Sequence, residues 1–496
     1  MIEDVLQVVE QSPRIVSLGV FLSLSVLYYF LFASKSKPLD VPSYDGNVTP
    51  YGVEFLSTIE KASAEHPDSI FRLNTANYDT LVLPPKYIDE VKAAPEAKFS
   101  IGAELYTRNL GRYTLIGTVG RAHGFVNSIR QDLNRNLALT FPTLQAETEY
   151  ATGTSIGDCP EWKPIAVYSA ALRMVALLTG RVFIGPQLSR NEEWIGASIQ
   201  TTVDTFSGSF KLWNYHWSIR PIMARLLPEI QNIHKQNKRV AELLEPVLAE
   251  RLRQMSQPDF KPPADMLQFF LDNLDGKDAT YQAALQSAIN VAAIHTTSMN
   301  ITHVIYDLAA NPEHIEPLRA ELEEVISMNG GVWDKNSIIK LRKMDSFIRE
   351  SQRMSPPGIV SMSRRVQQDV VLSDGTKLPK GTLVACDSWS ATRDSNLWEN
   401  PEVFDGFRFE KLRAIPGNEA KYQFVTSSPI NMHFGHGSHA CPGRFFVANE
   451  IKILMAHLIQ NYDIALKPGC ERPQSMYNNI MILPNMEGEV LFRSRR

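Results

Sequence analysis

The chain has 496 residues with 44% hydrophobic and 21% charged side chains, and its 27 glycines and 30 prolines are spread along its length. This composition indicates a globular protein and excludes disordered, collagen-like and low-complexity classes. The 50 basic and 54 acidic side chains give a formal charge of −4, so the balance does not indicate a nucleic-acid partner. The cysteines are too few and too widely separated for a disulfide framework, which favours a reducing compartment; they are Cys159, Cys386, Cys441 and Cys470.

A long apolar segment lies near the start of the chain. Residues 15–33 read IVSLGVFLSLSVLYYFLFA and carry no charge. As a helix rising ~1.5 Å per residue they approach the ~30 Å core of a bilayer, so they predict one transmembrane helix. A cleaved signal peptide is the alternative, but the preceding residues carry Glu3, Asp4 and Glu10 against the single basic Arg14, whereas a signal peptide begins with a basic stretch. Lys35 and Lys37 follow it, and the positive-inside tendency therefore predicts residues 1–14 in the lumen and the rest of the protein in the cytosol.

The remainder of the chain is predicted to be one body. Residues 34–50 contain Pro38 and Pro42 and are expected to form an extended hinge. Residues 51–496 show no internal repeat and no linker long enough to separate independent domains. Apolar periodicity typical of helices dominates, and alternating strands are fewer and shorter. The predicted fold class is mainly α with small β-sheets.

Helix-ending and turn signals divide the second half of the chain. Asn-Pro and Asn-Gly pairs end two successive periodic segments, and Pro-Pro-Gly ends a third. An Asp-Gly pair between two short apolar runs predicts a hairpin turn. The predicted helices cover about 280–310, 312–329 and 341–354, and the predicted strands cover 366–372 and 378–384.

The most informative stretch is the loop that reads FGHGSHACPGRFF and contains Cys441. Glycines before the cysteine allow close backbone approach, and Pro442 suits the first position of a following helix. That helix is predicted to bury one face, formed by Val447, Ile451, Leu454 and Leu458. A cysteine at a helix N-terminus favours the thiolate, which acts as a nucleophile, a redox partner or a metal ligand. The alternative is a small buried hydrophobic residue.

This loop resembles the haem-binding loop of the cytochrome P450 monooxygenases, Phe-x-x-Gly-x-x-x-Cys-x-Gly. The residues at the matching positions are Phe434, Gly437, Cys441 and Gly443, with Gly435 in the same loop. The resemblance implies the cytochrome P450 fold, a haem b cofactor and Cys441 as the proximal ligand of the haem iron. The family most often has Arg two residues before the cysteine. This chain has His439 there, and an imidazole can still donate a hydrogen bond to a haem propionate.

Further residues match other parts of the family pattern. Glu350 and Arg353 lie at i and i+3 of a predicted helix and resemble the family's Glu-x-x-Arg; by themselves they would be an ordinary solvated pair. Arg408 would complete a triad, which we expect to be structural because a buried carboxylate between two guanidiniums is stable only when fully hydrogen-bonded. Arg364 matches a propionate-binding residue, although Arg365 is beside it. Arg130 is a weaker candidate for a second propionate contact, with a solvent-facing helix charge as the alternative.

The predicted helix at 280–310 contains the sequence AAIHTT, which resembles the family's oxygen-binding segment, Ala/Gly-Gly-x-Asp/Glu-Thr-Thr. Small side chains at Ala292 and Ala293 would leave room for the haem and oxygen. Thr296 would help to activate oxygen, with Thr297 following it. His295 replaces the usual acid, and its unperturbed pKa of ~6.5 suits a proton relay near neutral pH.

The resemblance also implies partners and a substrate class. The chain carries no flavin or nicotinamide fingerprint, so electrons would come from NADPH through a partner flavoprotein, the NADPH-cytochrome P450 reductase, with cytochrome b5 as a second candidate. A single-pass protein of the endoplasmic reticulum membrane, in contact with lipid, is expected. The sequences of the motifs are most like those of fungal family members that oxidise terpenoids and other secondary metabolites, with O₂ as co-substrate. The residues expected to line an apolar substrate pocket are Leu105, Phe206, Phe210, Leu212, Trp213, Ile359, Val360, Met362, Ile480 and Met481.

Three other functions remain as alternatives. A haem-thiolate isomerase or dehydratase would need no reductase, but such proteins commonly lack the oxygen-activating threonine that Thr296 supplies. A haem-binding sensor would carry an output domain, and none is visible. A hydrolase with Cys441 as nucleophile would need a base and an orienting acid. His433, His436 and His439 are close in sequence, but no acid is placed beside them.

Overall fold

The computed structural model describes residues 17–19, 21–25, 39–49, 52–75, 78–119, 122 and 124–495. From residue 39 onward the helices are α1 (Leu56–Glu65), α2 (Ile88–Ala93), α3 (Ile101–Arg108), α4 (Ile116–Val119), α5 (Phe125–Asn127), α6 (Leu137–Ser155), α7 (Val167–Phe183), α8 (Glu192–Trp213), α9 (Arg220–Leu226), α10 (Pro228–Met255), α11 (Met266–Asn273), α12 (Ala279–Ala310), α13 (Ile315–Met328), α14 (Lys335–Lys340), α15 (Arg342–Met354), α16 (Trp389–Arg393), α17 (Arg408–Ala414) and α18 (Arg444–Asn461). A π-helical turn, Ser128–Leu133, follows α5.

The strands are short and form small sheets, so the predicted class of mainly α with small β-sheets is confirmed. The strands are β1 (Ser43–Asp45), β2 (Asn47–Thr49), β3 (Gly52–Glu54), β4 (Phe71–Asn74), β5 (Asp79–Leu83), β6 (Phe99–Ser100), β7 (Lys163–Ala166), β8 (Val360–Val366), β9 (Val370–Val371), β10 (Lys377–Leu378), β11 (Leu383–Asp387), β12 (Tyr462–Ala465), β13 (Met476–Asn478), β14 (Met481–Leu483) and β15 (Glu489–Ser494). Six of them form the largest sheet, in the order β1-β4-β5-β11-β8-β6.

Helix α12 runs through the centre of the helical part and is buried along most of its length. The side chain of Asp278 caps its start by accepting the backbone N–H of Tyr281 at 2.9 Å, and the helix ends before Asn311 and Pro312 as predicted. Helices α7, α8, α10, α15 and α18 pack against it. The segment 292–297 of α12, which the sequence analysis singled out, is therefore surrounded by other helices.

Other sequence predictions are confirmed or corrected by the observed elements. Helices α13 and α15 are confirmed. The turn at Asp374-Gly375 is confirmed, but the hairpin there joins only β9 and β10, whereas β8 pairs with β11 directly. The predicted strand 366–372 is divided in the structure, because β8 ends at Val366 and β9 covers only Val370–Val371.

The N-terminal part of the chain is described only in pieces. The predicted hinge, residues 34–50, includes β1, which pairs in parallel with β4, so the folded body begins before residue 51. Most of the predicted membrane span, residues 15–33, lies outside the described residues. Within the described ranges, none of the helices combines the length and the apolar character that crossing a bilayer requires.

Candidate active site

The cysteine loop is closed by one short backbone hydrogen bond. The N–H of Cys441 donates to the carbonyl of Phe434 at 2.7 Å. Gly437 has φ +80°, and a Cβ there would lie 2.6 Å from Cβ of Lys92 on α2, so both conformation and space require glycine. Helix α18 begins at Arg444 with Gly443 as its N-cap, so Pro442 precedes the helix instead of opening it as predicted.

The sequence predicts that the helix N-terminus favours the thiolate of Cys441, but in the structure burial favours the neutral thiol. Burial raises the pKa of the Cys441 thiol, while the backbone N–H groups of Gly443 and Arg444 and the guanidinium of Arg444 oppose this. Burial is the larger effect because it removes water from the charged form. A bound metal cation deprotonates a coordinating thiol, so we expect Cys441 to be a thiolate when it coordinates a metal ion.

The structure brings the three residues of the proposed triad together. Glu350, fully buried on α15, accepts Nε and Nη2 of Arg353 at 2.8 Å each. Arg408 on α17 donates from Nε to the same carboxylate at 3.0 Å. Both guanidiniums also donate to backbone carbonyls, including that of Val403, so α15 is tied to the segment that precedes α17. These contacts are structural, as the sequence predicts for this carboxylate.

Arg364 and Arg365 point to different places because neighbouring side chains of β8 lie on opposite faces of the sheet. The side chain of Arg365 donates to the hydroxyl of Thr107. Arg364 is 1% exposed, and its Nε and Nη2 have no hydrogen-bond partner among the described residues. A buried guanidinium with free donors is costly unless an anion meets it. The choice that the sequence leaves open therefore falls on Arg364.

His439 lies close to the charges of Arg364 and Arg130. Burial lowers the pKa of His439, and the guanidiniums of Arg364 and Arg130 lower it further, while Glu96 raises it. The Nδ1 atom of His439 is 3.4 Å from a carboxylate oxygen of Glu96. Arg130 donates to the carbonyl of Ser438 at 2.9 Å, next to His439. The three donors predicted for the propionates thus converge beside the cysteine loop.

Two functional contacts were not identified from the sequence. Asn134, at the end of the π-helical turn, donates to the carbonyl of Pro442 at 3.0 Å and supports the cysteine loop from the side. Glu96 approaches His439 from the segment before β6. Neither residue stands in a recognisable motif, and both lie far from the loop along the chain, so only the tertiary structure reveals them.

Residues 292–297 of α12, which read AAIHTT and are called the oxygen-side segment below, present small and polar side chains to open space. Ala292 and Thr296 are exposed although they lie in the middle of a buried helix, and Ala293 is half-buried. The Thr296 hydroxyl donates to the carbonyl of Ala292 at 2.8 Å, one turn earlier. Thr297 is buried, and its hydroxyl has no hydrogen-bond partner among the described residues. Ala292 and Thr296 therefore mark a gap beside α12.

His295 does not face this gap. Its Nδ1 lies 2.9 Å from the hydroxyl of Tyr168 on α7, and its Nε2 lies 3.1 Å from the carbonyl of Ile199 on α8. Burial lowers the pKa of His295, so the ring is neutral near neutral pH. Both nitrogens are engaged by neighbouring helices, which differs from the proton relay to Thr296 that the sequence suggests.

The predicted pocket residues separate into two groups. Four have exposed side chains, and these are Leu105, Phe206, Phe210 and Met481. Five are packed inside the protein instead: Leu212, Ile359, Val360, Met362 and Ile480. Trp213 is held by a hydrogen bond from Nε1 to the carbonyl of Arg108 at 2.9 Å. Val203, which the sequence analysis missed, joins the exposed group, and its spacing from Phe206 and Phe210 on α8 is the signal that could have found it.

The residues present fit a haem. Gly437 allows the loop to approach α2 closely, Cys441 supplies a soft ligand, and Arg364 has buried donors that suit a propionate. On the other side, Ala292 and Thr296 leave a gap next to α12. Cysteine ligation together with propionate donors is the donor set that a thiolate-bound haem requires. Fold and site therefore define the class of the haem-thiolate oxidoreductases.

Comparisons with known proteins agree with this class. The family model described as "Cytochrome P450" matches residues 167–492. The chain is 40% identical over 471 residues to cytochrome P450 monooxygenase BOA4 of Botryotinia fuckeliana, covering 95% of this chain and 94% of that protein. It is 36% identical over 493 residues to cytochrome P450 monooxygenase ataF of Aspergillus terreus, covering 98% and 97%. A retinoic-acid-bound cyanobacterial CYP120A1 matches with a TM-score of 0.66 at 18% identity, covering 92% of this chain and 100% of that one, which shows the shared fold.

The chain belongs to the cytochrome P450 family, and it is a monooxygenase. Membership brings a haem iron cofactor, electrons from a reductase partner, O₂ and a small-molecule substrate. The resemblance seen in the cysteine loop is thereby confirmed.

Proposed function

We propose that this monooxygenase oxidises an apolar substrate of the terpenoid class, by one hydroxylation or by several successive oxidations. The observation that carries this proposal is the face that α8 exposes. Val203, Phe206 and Phe210 are each more than two-fifths exposed, whereas the opposite face of the helix is buried and largely polar. Exposed aromatic and aliphatic side chains at helical spacing suit an apolar ligand.

The first half of α8 contacts α12 through the carbonyl of Ile199 and the side chain of His295. Ile199, whose carbonyl meets His295, precedes Val203 by one helical turn, and Phe206 and Phe210 continue the same face. Thr296 follows His295 on α12 and borders the gap beside that helix. The proposal places the oxidised end of the substrate in this gap and the rest of the substrate along the apolar face of α8. Terpenoids are mostly hydrocarbon and carry few polar groups, which matches a face without charged side chains.

We assign the cofactor contacts as follows. Cys441 would hold the haem iron, and Arg364, His439 and Arg130 would hold the propionates. When bound, the haem supplies the activation of O₂ for insertion into a C–H bond. The protein would exclude water with the apolar face of α8 and hold a proton at Oγ1 of Thr296, whose hydroxyl donates to the carbonyl of Ala292 in this structure and would turn towards the substrate to deliver the proton.

We also propose that the protein is anchored in the endoplasmic reticulum membrane. Residues 1–14 would be lumenal, residues 15–33 would cross the bilayer, and the folded body would face the cytosol. Support comes from exposed apolar side chains around α9, which would rest on lipid; they are Trp217, Ile219, Ile222 and Leu226. This arrangement places the protein beside a membrane-bound reductase, with cytochrome b5 as a second electron donor.

The proposed cysteine ligand and substrate class are tested on the purified protein. The reduced, carbon-monoxide-bound form should show the thiolate-type Soret band, and Cys441→Ser should lose it. Cys470→Ser is the matched control, because Cys470 is exposed, and it should keep the band. Incubation with reductase, NADPH and a panel of terpenoid hydrocarbons should give oxygenated products. Products without NADPH consumption would indicate an isomerase or dehydratase, and ligand binding without any turnover would indicate a sensor.

The role of Thr296 is tested by Thr296→Val, which removes the hydroxyl and keeps the side-chain shape. We expect NADPH consumption to continue while hydrogen peroxide replaces product, because proton delivery is impaired. Thr302→Val is the control: Thr302 makes the same kind of bond, to the carbonyl of Ser298 at 2.7 Å, but it is completely buried. Equal product yields in the two variants would contradict the assignment.

A further inference from the structure

His295 has a defined tautomer in this structure. The carbonyl of Ile199 only accepts hydrogen bonds, so Nε2 of His295, 3.1 Å away, carries the proton. The other nitrogen, Nδ1, is therefore unprotonated and accepts the hydroxyl of Tyr168 at 2.9 Å. With a side chain only 6% exposed, the imidazole has used its one donor and its one acceptor on α8 and α7.

These two hydrogen bonds join three helices at one point. Tyr168 lies at the start of α7, Ile199 in the first half of α8 and His295 in the middle of α12. Among the described residues, the only other side-chain hydrogen bond between α8 and α12 is that from Asn290 to the hydroxyl of Ser198, at 3.0 Å. The separation of α8 from α12 beside the gap therefore depends on few polar contacts, and His295 makes the one nearest to Thr296.

We propose that His295 is a positioning residue that sets the distance of α8 from the oxygen-side segment of α12, and so the width of the substrate space. This inference rests on the proposed function, in which the apolar face of α8 contacts the substrate. His295 acts through Ile199. Its Nε2–H donates to the carbonyl of Ile199 and so fixes the position of the next turns of α8, which carry Val203 and Phe206. His295 carries no proton to Thr296, because its only N–H donates to α8 and the lone pair of Nδ1 accepts the hydrogen bond from the Tyr168 hydroxyl.

Three variants separate positioning from proton relay. His295→Gln keeps an N–H donor at about the place of Nε2, so it should preserve the contact with Ile199. His295→Asp introduces the acid that the family usually has and removes the N–H donor, so it should lose the contact with the carbonyl of Ile199. Tyr168→Phe removes only the hydroxyl that orients the ring. Tyr306→Phe is the matched control, because it removes a buried hydroxyl that donates from α12 to Asn485 at 2.7 Å.

Ligand binding to the holoenzyme measures the width of the pocket. Imidazole and phenylimidazole are titrated and followed by the shift of the Soret band; both would bind the haem iron, but the larger phenylimidazole would also occupy the space that the proposal assigns to the substrate. For His295→Asp we expect the Kd of phenylimidazole to rise about tenfold and that of imidazole to stay within about twofold. His295→Gln and Tyr306→Phe should match the wild type for both ligands, and Tyr168→Phe should weaken phenylimidazole binding by about threefold. Unchanged phenylimidazole binding in His295→Asp would overturn the proposal.

Two further readouts distinguish the possible failures. If His295 relayed protons, His295→Asp would keep NADPH consumption coupled to product formation, and His295→Gln would increase the solvent isotope effect on NADPH consumption; either result contradicts positioning. Deuterium exchange of peptides from residues 192–213 does not depend on turnover. It should be faster in His295→Asp and of wild-type rate in His295→Gln, and equal rates in both would overturn the inference. A wild-type protein without the thiolate-type band would instead contradict the proposed function.

Discussion

Arg408 Nε lies 3.0 Å from Oε1 of Glu350, and the same oxygen accepts the backbone N–H of Asp405, also at 3.0 Å. Through this one carboxylate, α15 is fixed to the segment that precedes α17. Arg353 fills the remaining positions around the carboxylate and donates to the carbonyls of Thr392 and Pro401. A buried charge is tolerated here because both oxygens of the carboxylate accept hydrogen bonds, two guanidiniums and one backbone N–H being the donors.

Glu350→Gln should therefore be strongly destabilising. The change leaves two buried guanidiniums without a counter-charge, and we expect the free energy of unfolding to fall by about 3–5 kcal/mol. Urea unfolding measures the loss, and haem content should fall with it. Glu250→Gln is the control, since Glu250 pairs with Arg253 on the surface and its loss should be barely measurable. Equal effects of the two changes would contradict the structural role of the triad.

Gly437→Ala should damage the cysteine loop. The residue has φ +80°, and the new Cβ would meet Cβ and the carbonyl oxygen of Lys92 at 2.6 and 2.7 Å. Gly375→Ala is the matched control, because Gly375 has φ +89° but nothing within 4 Å. The control should cost roughly 1–2 kcal/mol from backbone conformation alone. We expect Gly437→Ala to cost more and to reduce haem content, measured by unfolding and by absorbance; haem loss in the control alone would contradict this.

Arg364→Met should affect the apoprotein and the holoprotein in opposite directions. Nε and Nη2 of Arg364 are buried without partners among the described residues, so removing the charge should leave the apoprotein at least as stable. The same change should weaken haem retention, because a propionate would lose its donors. Transfer of haem to apomyoglobin measures retention, and Arg365→Met should transfer at the wild-type rate. Loss of apoprotein stability in Arg364→Met would contradict this assignment.

Glu450 predicts a pH dependence of stability. It is fully buried on α18, and burial raises the pKa of its carboxyl from 4.5 to about 8, although the hydroxyl of Thr179 donates to it at 2.8 Å. Between these values the folded protein binds a proton that the unfolded chain has released, so stability falls as pH rises from about 5 to above 8. Glu450→Gln should flatten this slope and raise the melting temperature relative to wild type at pH 8. Parallel pH profiles of the two proteins would contradict the prediction.

The long elements and the cysteine loop could be predicted from the sequence because their signals are local. Helix α12 follows from apolar periodicity that ends at Asn311-Pro312, and Glu350 with Arg353 follows from spacing on one helix. The short strands could not be delimited in this way. The last residues of β8 pair with β6, which lies far away in the chain, so no local signal marks the end of β8 at Val366.

The sequence by itself determined the class of protein, because the cysteine loop and the Glu-x-x-Arg pair resemble motifs of a known family in both residue type and spacing. Tertiary structure decided what His295 does and which of Arg364 and Arg365 faces the site. The physical reason is the same in both cases. A polar side chain can bind a ligand only with the donors and acceptors that the protein itself does not use. Its partners within the protein lie on helices and strands that come together only on folding.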